Sequence, residues 1–372
     1  MAINTPVYSI IYDKSLASDP EACLTYAGLC EGFTPMCNAG DSNCDEGSWA
    51  EGNGTIFDAI EVGYLNNSTW TKFNKSSVTG SSSYDCFTRI PKVYQKVTDI
   101  SDAKDNSKVQ LDLSLEPFNG ASLHPSFVRS GTELNHLYIG RYLGDEYVAD
   151  SLYSISGQMP TTNFYRHMFR DCARDRGTSY SLLKYYDWDL VNKLYLLAFK
   201  NFDSQTALGP GNTHSFSVIN TGGTDGKSWM CSTSMTGSGS MCFLGIEDWW
   251  GNCSQVLDDF YGTGGSYYVG NNTTPTDDTS NKTLLISGFT EYTVGYPLTC
   301  KATADGFFLA ETYGGSSTKG LCDYHYYNNS ENIACVGLES YSNTGSGAFF
   351  LGASMGLTYS DGFIGARLTY VD

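Results

Sequence analysis

Three segments in the first half of the chain alternate apolar and polar side chains with the two-residue period of a half-buried β-strand. They are residues 87–97 (FTRIPKVYQKV), Lys108–Leu115 and Leu137–Leu143. Proline has no backbone N–H to donate to a neighbouring strand, so Pro91 predicts that the first of these strands lies at the edge of a sheet.

Two helical patterns follow one another between about residues 163 and 200. In the first, Asn163 is expected to cap a helix that Gly177 ends. In the second, Asp187 is expected to cap a helix with leucines at i, i+4 and i+7 from Leu190, all on one face. After residue 204 the chain is Gly-rich and strand-like. Two helices followed by a long β-section predict an α+β architecture.

The last part of the chain combines a polar, tyrosine-rich run with a short apolar end. The run from Gly314 to Gly347 is rich in Tyr, Asn, Ser and Gly, and Phe349 to Val371 is mostly apolar. Tyrosine offers a large contact area at low cost in rotamer entropy, and Ser, Asn and Gly add adaptable hydrogen bonds. This composition is typical of loops that display a binding surface, and nothing in it indicates a reaction centre.

The overall charge excludes several classes of partner. The chain has 40 acidic and 22 basic residues, a formal net charge of −18. Nucleic-acid binding requires clustered Lys and Arg, and an anionic membrane surface would repel such a chain. High contents of tyrosine (27) and glycine (40) favour a protein rich in strands and loops.

No export or membrane signal is recognisable in the sequence. The opening residues, MAINTPVYSIIYDKS, lack the basic region and apolar core of a signal peptide. No stretch approaches the roughly 18 apolar residues of a membrane helix, so no membrane insertion is expected. We expect the product to leave a cell by another route, of which virion assembly is one.

The cysteines do not define a metal site. There are twelve, and Cys23, Cys30, Cys37 and Cys44 recur at intervals of seven residues, without any C-x-x-C. Without an export signal the default is reduced thiols, although pairing after release stays open. The five histidines lack the spacing of metal ligands. We therefore predict no metal and no cofactor.

Six motifs, taken in order, resemble one fold family. This is the C-type-lectin-like domain shared by formylglycine-generating-enzyme homologues and the variable proteins of phage and bacterial diversity-generating retroelements. The resemblance covers roughly Phe87 to Val371. The motifs are FTRIPKVY (87–94), HPSF (124–127), CARDRGTSYSLLKYYDWDLVNKLYLLAF (172–199), FDSQTALGPGN (202–212), GIEDWWGNCSQVLDDFY (245–261) and GFIGARLTYV (362–371).

The resemblance implies an α+β, C-type-lectin-like (formylglycine-generating-enzyme-like) domain with two helices and loop-rich antiparallel sheets. An irregular Cys-rich N-terminal segment would precede it. The expected division is a cap or virion-attachment segment at residues 1–55 and a ligand-binding domain at 56–372. Variable-type loops would lie at 313–347.

In the retroelement branch the variable residues are typically Tyr, Asn, Ser, Asp, His and Thr, in loops before the final strand. The positions that the resemblance implies to be ligand-binding are Tyr313, Tyr324, His325, Tyr326, Tyr327, Asn328, Asn329, Ser340, Tyr341, Ser342 and Asn343. An alternative applies to the tyrosines from 324 to 327, which also fit a strand with half of its side chains in the core.

The function implied is that of a phage-type receptor-binding protein, or adhesin, in a virion tail or surface fibre. Its partners would be a host cell-surface protein or glycan and other virion proteins, and the resemblance suggests a homotrimer. A lectin on a bacterial surface is a neighbouring alternative. A second alternative is a capsid or tail decoration protein without a specific ligand.

A formylglycine-generating-type oxidase is a third alternative, which the cysteines disfavour. The catalytic branch uses two cysteines a few residues apart, whereas Cys322 and Cys335 are thirteen positions apart. The residues between them supply no cationic group, apart from His325, to lower a thiol pKa. We therefore expect no enzyme activity and no catalytic residue.

Three further features favour structural roles. Trp249–Asn252 is interpreted as a structural turn. Arg367 is expected to satisfy a buried carboxylate or buried carbonyls, since an unpaired buried charge is costly. His124, which precedes a proline, is interpreted as a packing residue.

Overall fold

Strands account for most of the regular structure. The computed structural model describes residues 5–36, 46–102, 107–148, 150–289 and 293–372. Strands hold 36% of the residues and helices 13%, so the fold is sheet-dominated. The predicted α+β class, with its two-helix C-type-lectin-like layout, is therefore wrong. Many strands have only two to five residues, too few for a periodic pattern to reveal them in the sequence.

In the described part of the first half, the strands are β1 (Tyr8–Asp13), β2 (Leu24–Gly28), β3 (Glu61–Asn66), β4 (Thr69–Lys72), β5 (Asp85–Pro91), β6 (Tyr94–Asp99), β7 (Lys108–Ser114), β8 (Ser122–Leu123), β9 (Val128–Arg129), β10 (Thr132–Glu133), β11 (His136–Gly140), β12 (Asp145–Val148), β13 (Ser151–Tyr153) and β14 (Tyr180–Leu182). In the second half they are β15 (Cys231–Ser232), β16 (Met241–Phe243), β17 (Ile246–Glu247), β18 (Ser254–Thr263), β19 (Ser266–Val269), β20 (Thr283–Ser287), β21 (Thr293–Gly295), β22 (Pro297–Cys300), β23 (Ala310–Tyr313), β24 (His325–Tyr327), β25 (Asn332–Val336), β26 (Leu351–Met355), β27 (Ile364–Gly365) and β28 (Leu368–Tyr370).

The α-helices among the described residues are α1 (Arg166–Asp175), α2 (Tyr185–Phe199) and α3 (Ser204–Ala207). Single 3-10 turns span Lys14–Leu16, Gly47–Trp49, Ile56–Ala59, Pro125–Phe127 and Asn343–Gly345.

The N-terminal residues are part of a regular sheet. Its five strands run in the order β2-β1-β7-β6-β8, and β1 pairs with both β2 and β7. The prediction of an irregular N-terminal segment is therefore wrong for the residues described there. Cys37 and Cys44 lie outside the described residues. The strand predicted at Lys108–Leu115 is confirmed as β7.

A six-stranded sheet joins the first half of the chain to its end. The order is β14-β28-β11-β5-β3-β4, so β28 brings the C-terminal residues beside β11 and β14. The predicted strand at Leu137–Leu143 is confirmed as β11. The predicted edge position of the segment with Pro91 is wrong, because β5 lies between β11 and β3. Pro91 is the last residue of β5. The strand ends there, so it does not need a backbone N–H from this residue to continue its hydrogen bonding.

The largest sheet carries three of the predicted binding residues, His325, Tyr326 and Tyr327, on β24. Its path is β20-β19-β18-β25-β26-β24-β21, and β27 pairs in parallel with β18. Within it β24 runs parallel to β26 and antiparallel to β21. These pairings hold the tyrosine-rich strand between two neighbours.

Helix α2 is enclosed on every side, because all of its residues are buried. The predicted leucine stripe is thus one part of a helix that is buried all round. The helix begins after Lys184, three residues earlier than a cap at Asp187 would require. The Asp187 carboxylate instead accepts from the Lys184 N–H (3.2 Å) and pairs with Arg129 (2.8 Å). Helix α1 similarly follows Tyr165 instead of Asn163.

A buried polar network connects α2 to the 3-10 turn that starts after His124. Asp189 lies 2.5 Å from Lys193 Nζ and 3.2 Å from His124 Nε2, and Ser126 Oγ lies 3.0 Å from His124 Nδ1. The composition matches a Ser-His-Asp triad, yet all three side chains are fully buried. Ser126 Oγ also donates to the Tyr186 carbonyl (2.7 Å). The network therefore satisfies buried polar groups and fixes the start of α2.

Candidate ligand-binding face

Strand β24 separates the central predicted residues into two sets. His325 and Tyr327 are fully buried, whereas Tyr324 and Tyr326 are half-buried and face the other side. This is the alternation of a strand with one core face, so the alternative interpretation of these tyrosines is confirmed. Of the four residues from 324 to 327, Tyr324 and Tyr326 are the two placed to contact a ligand from solvent.

The inward side chains of β24 are held by specific contacts. His325 Nε2 lies 2.8 Å from the Phe349 carbonyl oxygen, and the Tyr327 ring stacks on Phe289 at 4.1 Å between centroids. Burial lowers the pKa of His325 to about 4, so it is neutral at physiological pH and its Nε2–H donates to that carbonyl. Both residues support the strand.

The outward side chains begin a row of aromatic rings. Tyr324 lies 4.8 Å from Tyr296 and 4.9 Å from Tyr326 between ring centroids, and Tyr326 lies 6.1 Å from Phe350. In the neighbouring strand Gly352 pairs with Tyr326, and a Cβ at Gly352 would lie 2.9 Å from the Phe350 ring. Glycine at this position therefore leaves room for the rings.

A pocket of about 300 Å³ continues from this row. Its lining includes Tyr326, Phe350, Met355, Tyr359 and Glu339. It joins β24 to the two loops that flank β26. An apolar pocket with a few polar groups is the usual form of a small binding site.

The loop at residues 338–345 displays Tyr341. Tyr341 is 40% exposed and its ring packs edge-on against Phe363 (4.8 Å), while Ser340 is buried, Ser342 half-buried and Asn343 exposed. Leu338 and Asn343 have positive φ, 54° and 52°. Left-handed backbone at a leucine is costly and is retained only where the surroundings enforce it.

Hydrogen bonds from other segments hold this loop in place. Gln205 Nε2 donates to the carbonyls of Asn343 (2.8 Å) and Ser346 (2.6 Å). The Asn343 N–H donates to the Thr213 carbonyl (3.0 Å), and the Phe216 N–H to the Ser340 carbonyl (3.2 Å). A loop fixed at both ends loses little further entropy on binding.

We call the surface that these elements form the aromatic face. It is defined by Phe216, Tyr324, Tyr326, Tyr341, Tyr359 and Phe363, and the buried ring of Phe350 packs against Tyr326. Sequence reasoning missed Phe216, Tyr359 and Phe363, although Phe216 is 68% and Tyr359 46% exposed. A large aromatic residue beside Ser or Gly is the signal that would have found them, since residues 214–217 read HSFS and residues 358–363 read TYSDGF.

Three further predicted residues, Asn328, Asn329 and Tyr313, also lie outside the aromatic face. Asn328 and Asn329 follow β24, where the Asn328 N–H donates to the Tyr267 hydroxyl (2.9 Å) and the Asn329 carbonyl accepts from Gly264 (2.9 Å). Tyr313 ends β23, which pairs with β22 in a separate two-stranded sheet. Their role in binding stays a prediction.

The aromatic face is neutral to acidic. Between Lys319 and Arg367 the sequence has no Lys or Arg, and its acids include Glu339 and Asp361. Burial, then the charges of Glu339 and Asp361, raises the pKa of Tyr341 to about 12. Its hydroxyl is therefore a neutral hydrogen-bond donor at physiological pH.

The chemistry-bearing residues nearby are buried. Cys322 and Cys335 are both buried, and burial raises the pKa of each thiol. Each stays protonated at neutral pH, which is the unreactive form. All ten described cysteines are buried and free of disulfides. In the described ranges, no group of three or more His, Cys, Asp or Glu side chains is arranged to hold a metal ion.

No family model matches the chain, and no curated protein matches it. Among solved structures, "Major Tropism Determinant U1 Variant" is similar at 15% identity, covering 84% of this chain and 71% of that chain, with a TM-score of 0.28. This score is too low to establish a common fold, so the family resemblance of the six motifs stays a hypothesis. No α-helix in the described part of the chain is long and apolar enough to span a bilayer.

Proposed function

We propose that this protein is a receptor-binding protein of the phage adhesin type, which presents the aromatic face to a protein or glycan on a host cell. The observation that carries the proposal is the clustering of Tyr and Phe rings from β24 and the neighbouring loops, with the exposed Tyr341 on a loop that hydrogen bonds hold in place. Large exposed aromatic patches are uncommon on monomeric proteins and mark interaction sites. Tyrosine is among the residues that dominate binding energy at interfaces.

The charge of the aromatic face restricts the kind of receptor surface that it can bind. A face without Lys or Arg, on a chain of net charge −18, would repel strongly anionic surfaces at short range. Tyrosine hydroxyls and Ser and Asn side chains offer uncharged donors and acceptors. The proposed receptor surface is therefore neutral or basic, and its recognition depends on ring contacts and hydrogen bonds.

Display in several copies belongs to the same proposal. Single contacts of this kind are weak, and linked copies gain affinity through their effective concentration. A homotrimer in a virion tail or surface fibre would supply those copies, with residues 1–55 contacting other virion proteins. Display on a bacterial surface would supply them equally. The six motifs of the sequence are the support for these assignments.

We also propose that the protein has no catalytic role. The thiols of Cys322 and Cys335 are protonated and buried, and the network of Ser126, His124 and Asp189 has no access to solvent. Neither arrangement offers an activated nucleophile to a substrate.

The test measures binding of fluorescently labelled protein to a panel of intact candidate host cells. The variant carries Tyr326→Ala, Tyr341→Ala and Tyr359→Ala, and the matched control is Tyr165→Ala, which removes a ring of similar exposure (37%, against 40% for Tyr341) outside the face. We expect saturable binding by the wild type and the control, and at least tenfold weaker binding by the triple variant, since each lost ring contact costs about 1 kcal/mol.

Two outcomes would count against the proposal. A folded triple variant that binds as the wild type does would move the receptor site away from the aromatic face. Absence of binding to every cell type by the wild-type protein would favour the decoration role without a specific ligand.

A further inference from the structure

A second pocket, which we call the Arg176 pocket, shares no residue with the aromatic face. Its volume is about 410 Å³. It lies between the β3–β4 turn and the residues that join α1 to β14, and its lining includes Asn66, Tyr84, Tyr153, Arg176 and Tyr180. A volume of this size is within the range of small-molecule sites.

The guanidinium of Arg176 is held rigidly in this pocket. It donates to the Leu152 carbonyl (2.8 Å) and to Asp85 Oδ2 (2.6 Å). Its central carbon lies 3.7 Å from the ring centroid of Tyr153 and 4.7 Å from that of Tyr180. A planar group stacked on aromatic rings and fixed by hydrogen bonds is oriented before any ligand arrives.

Tyr84 contributes an exposed flat ring. It is 40% exposed, and it stacks on Tyr64 with 5.1 Å between centroids and 15° between ring planes. The stacking fixes the orientation of the ring, so little entropy is lost when another flat group packs against it.

The remaining lining is polar but carries no net charge. Asp85, which also accepts from the Ser154 N–H (2.7 Å), balances the charge of Arg176. The other polar side chains are amides and hydroxyls, those of Asn66, Asn67, Ser68, Ser83, Thr178 and Ser179. An apolar ligand would leave such groups without hydrogen-bond partners, and an anion would meet a cation that is already paired.

We propose that the Arg176 pocket binds a short neutral saccharide. The C–H face of a sugar ring packs on a flat aromatic side chain such as Tyr84, and pairs of sugar hydroxyls match amides, carboxylates and guanidinium groups. The pocket combines both features in a fixed arrangement. This inference does not depend on the proposed function, because it concerns different residues.

The experiment titrates the full chain with maltotriose, cellotriose, chitotriose and mannotriose, and measures binding by calorimetry and saturation-transfer NMR. Tyr84→Ala removes the exposed ring, and Thr178→Trp fills the pocket from an exposed turn without removing a contact of Arg176. Tyr165→Ala, which removes a 37% exposed ring outside both the pocket and the aromatic face, is the matched control. We expect at least one saccharide to bind the wild type and the control equally, about tenfold more weakly to Tyr84→Ala, and not at all to Thr178→Trp.

The proposal is overturned if none of the four saccharides binds the wild type at millimolar concentration. It is also overturned if binding survives both pocket variants, since the saccharide site would then lie elsewhere. Loss of binding in Tyr165→Ala as well overturns it too, since the losses would then not be specific to the pocket. Host-cell binding by Tyr84→Ala, measured in parallel, keeps failure of this pocket distinct from failure of the aromatic face.

Discussion

Arg367 shows how a single residue buries a charge without an ion pair. Its Nε donates to Gln255 Oε1 (2.7 Å). Its other donors reach the main-chain carbonyls of residues 140, 141, 247 and 248 at 2.8–3.0 Å. The expectation that Arg367 satisfies buried carbonyls is therefore confirmed. The guanidinium connects the end of β11, the turn after β17 and the last strands, which lie far apart in sequence.

The turn at Trp249–Asn252 was also predictable as a structural feature. Both indoles are buried, and each donates a hydrogen bond, Trp249 to Asn192 Oδ1 (2.9 Å) and Trp250 to the Gly209 carbonyl (3.0 Å). A Trp-Trp-Gly-Asn sequence predicts a buried turn, because bulky indoles precede residues that adopt positive φ. The partners of the indoles depend on distant segments and were not predictable from the sequence.

His325 predicts a loss of stability in mild acid. Burial lowers its pKa from the ordinary 6.5 to about 4. The unfolded chain therefore binds more protons than the folded one between pH 6.5 and 4, and stability falls as the pH falls through this window. In His325→Gln the loss of unfolding free energy between pH 7 and pH 5 should be smaller by about 2 kcal/mol. Urea unfolding at the two pH values measures it.

The control for this prediction is His167→Gln, which removes an exposed histidine on α1. The control should retain the wild-type difference between the two pH values. An equal difference in His325→Gln and wild type would contradict the assignment of the acid sensitivity to His325.

At the scale of elements, strand β24 shows which features a sequence pattern predicts and which it does not. The alternation of core and surface was foreseen as an alternative for Tyr324 to Tyr327. The sequence does not reveal which tyrosines are buried, because tyrosine suits both sides of a strand. The pairing with β26 and β21 decides it, and this pairing is set by residues outside the strand.

Two adjacent tyrosines therefore make a matched test. Tyr327→Ala removes a fully buried ring that stacks on Phe289, and it should lower the unfolding free energy by about 3 kcal/mol or more. Tyr326→Ala removes a half-buried ring and should cost about 1 kcal/mol or less. Urea unfolding of both variants measures the difference. Equal losses would contradict the register of β24.

The helices show a similar division. The location of α1 and α2 between residues 163 and 200 was predictable from their patterns, while their first residues were not. Asp187 satisfies the start of α2 from within the first turn, where a carboxylate also favours the helix dipole. Full burial of α2 was not predictable either, because Asp189 and Lys193 read as surface residues until their pairing is known.

At the scale of the whole molecule, the fold class was the main error of the sequence-based prediction. The sheet with β28 forms only when residues near 370 meet residues near 138 and 180, and such pairings are not visible in local patterns. Similarly, β1 pairs with β7 across about a hundred residues. Short strands gain their stability from these distant partners. A prediction from local sequence patterns therefore assigns them to loops.

The place of β1 predicts what happens when residues 1–55 are removed. The segment contributes several large buried side chains, Tyr8, Ile10, Tyr12, Leu24, Tyr26, Met36 and Trp49. At about 2 kcal/mol each, their burial is worth on the order of 10 kcal/mol, which is comparable to the whole stability of a typical domain. The Tyr26 hydroxyl also donates to the Leu197 carbonyl on α2 (2.6 Å). A chain of residues 56–372 should therefore fail to fold.

The measurement is near-UV circular dichroism and limited proteolysis of the 56–372 chain, with a chain lacking only residues 1–6, which precede β1, as the control. We expect the control to unfold cooperatively. The 56–372 chain should lose its near-UV signal and be digested rapidly, because removing β1 exposes the edge of β7 and the core beneath it. A 56–372 chain that unfolds cooperatively and still binds host cells would instead make residues 1–55 a separable attachment segment, as the predicted division at residue 55 requires.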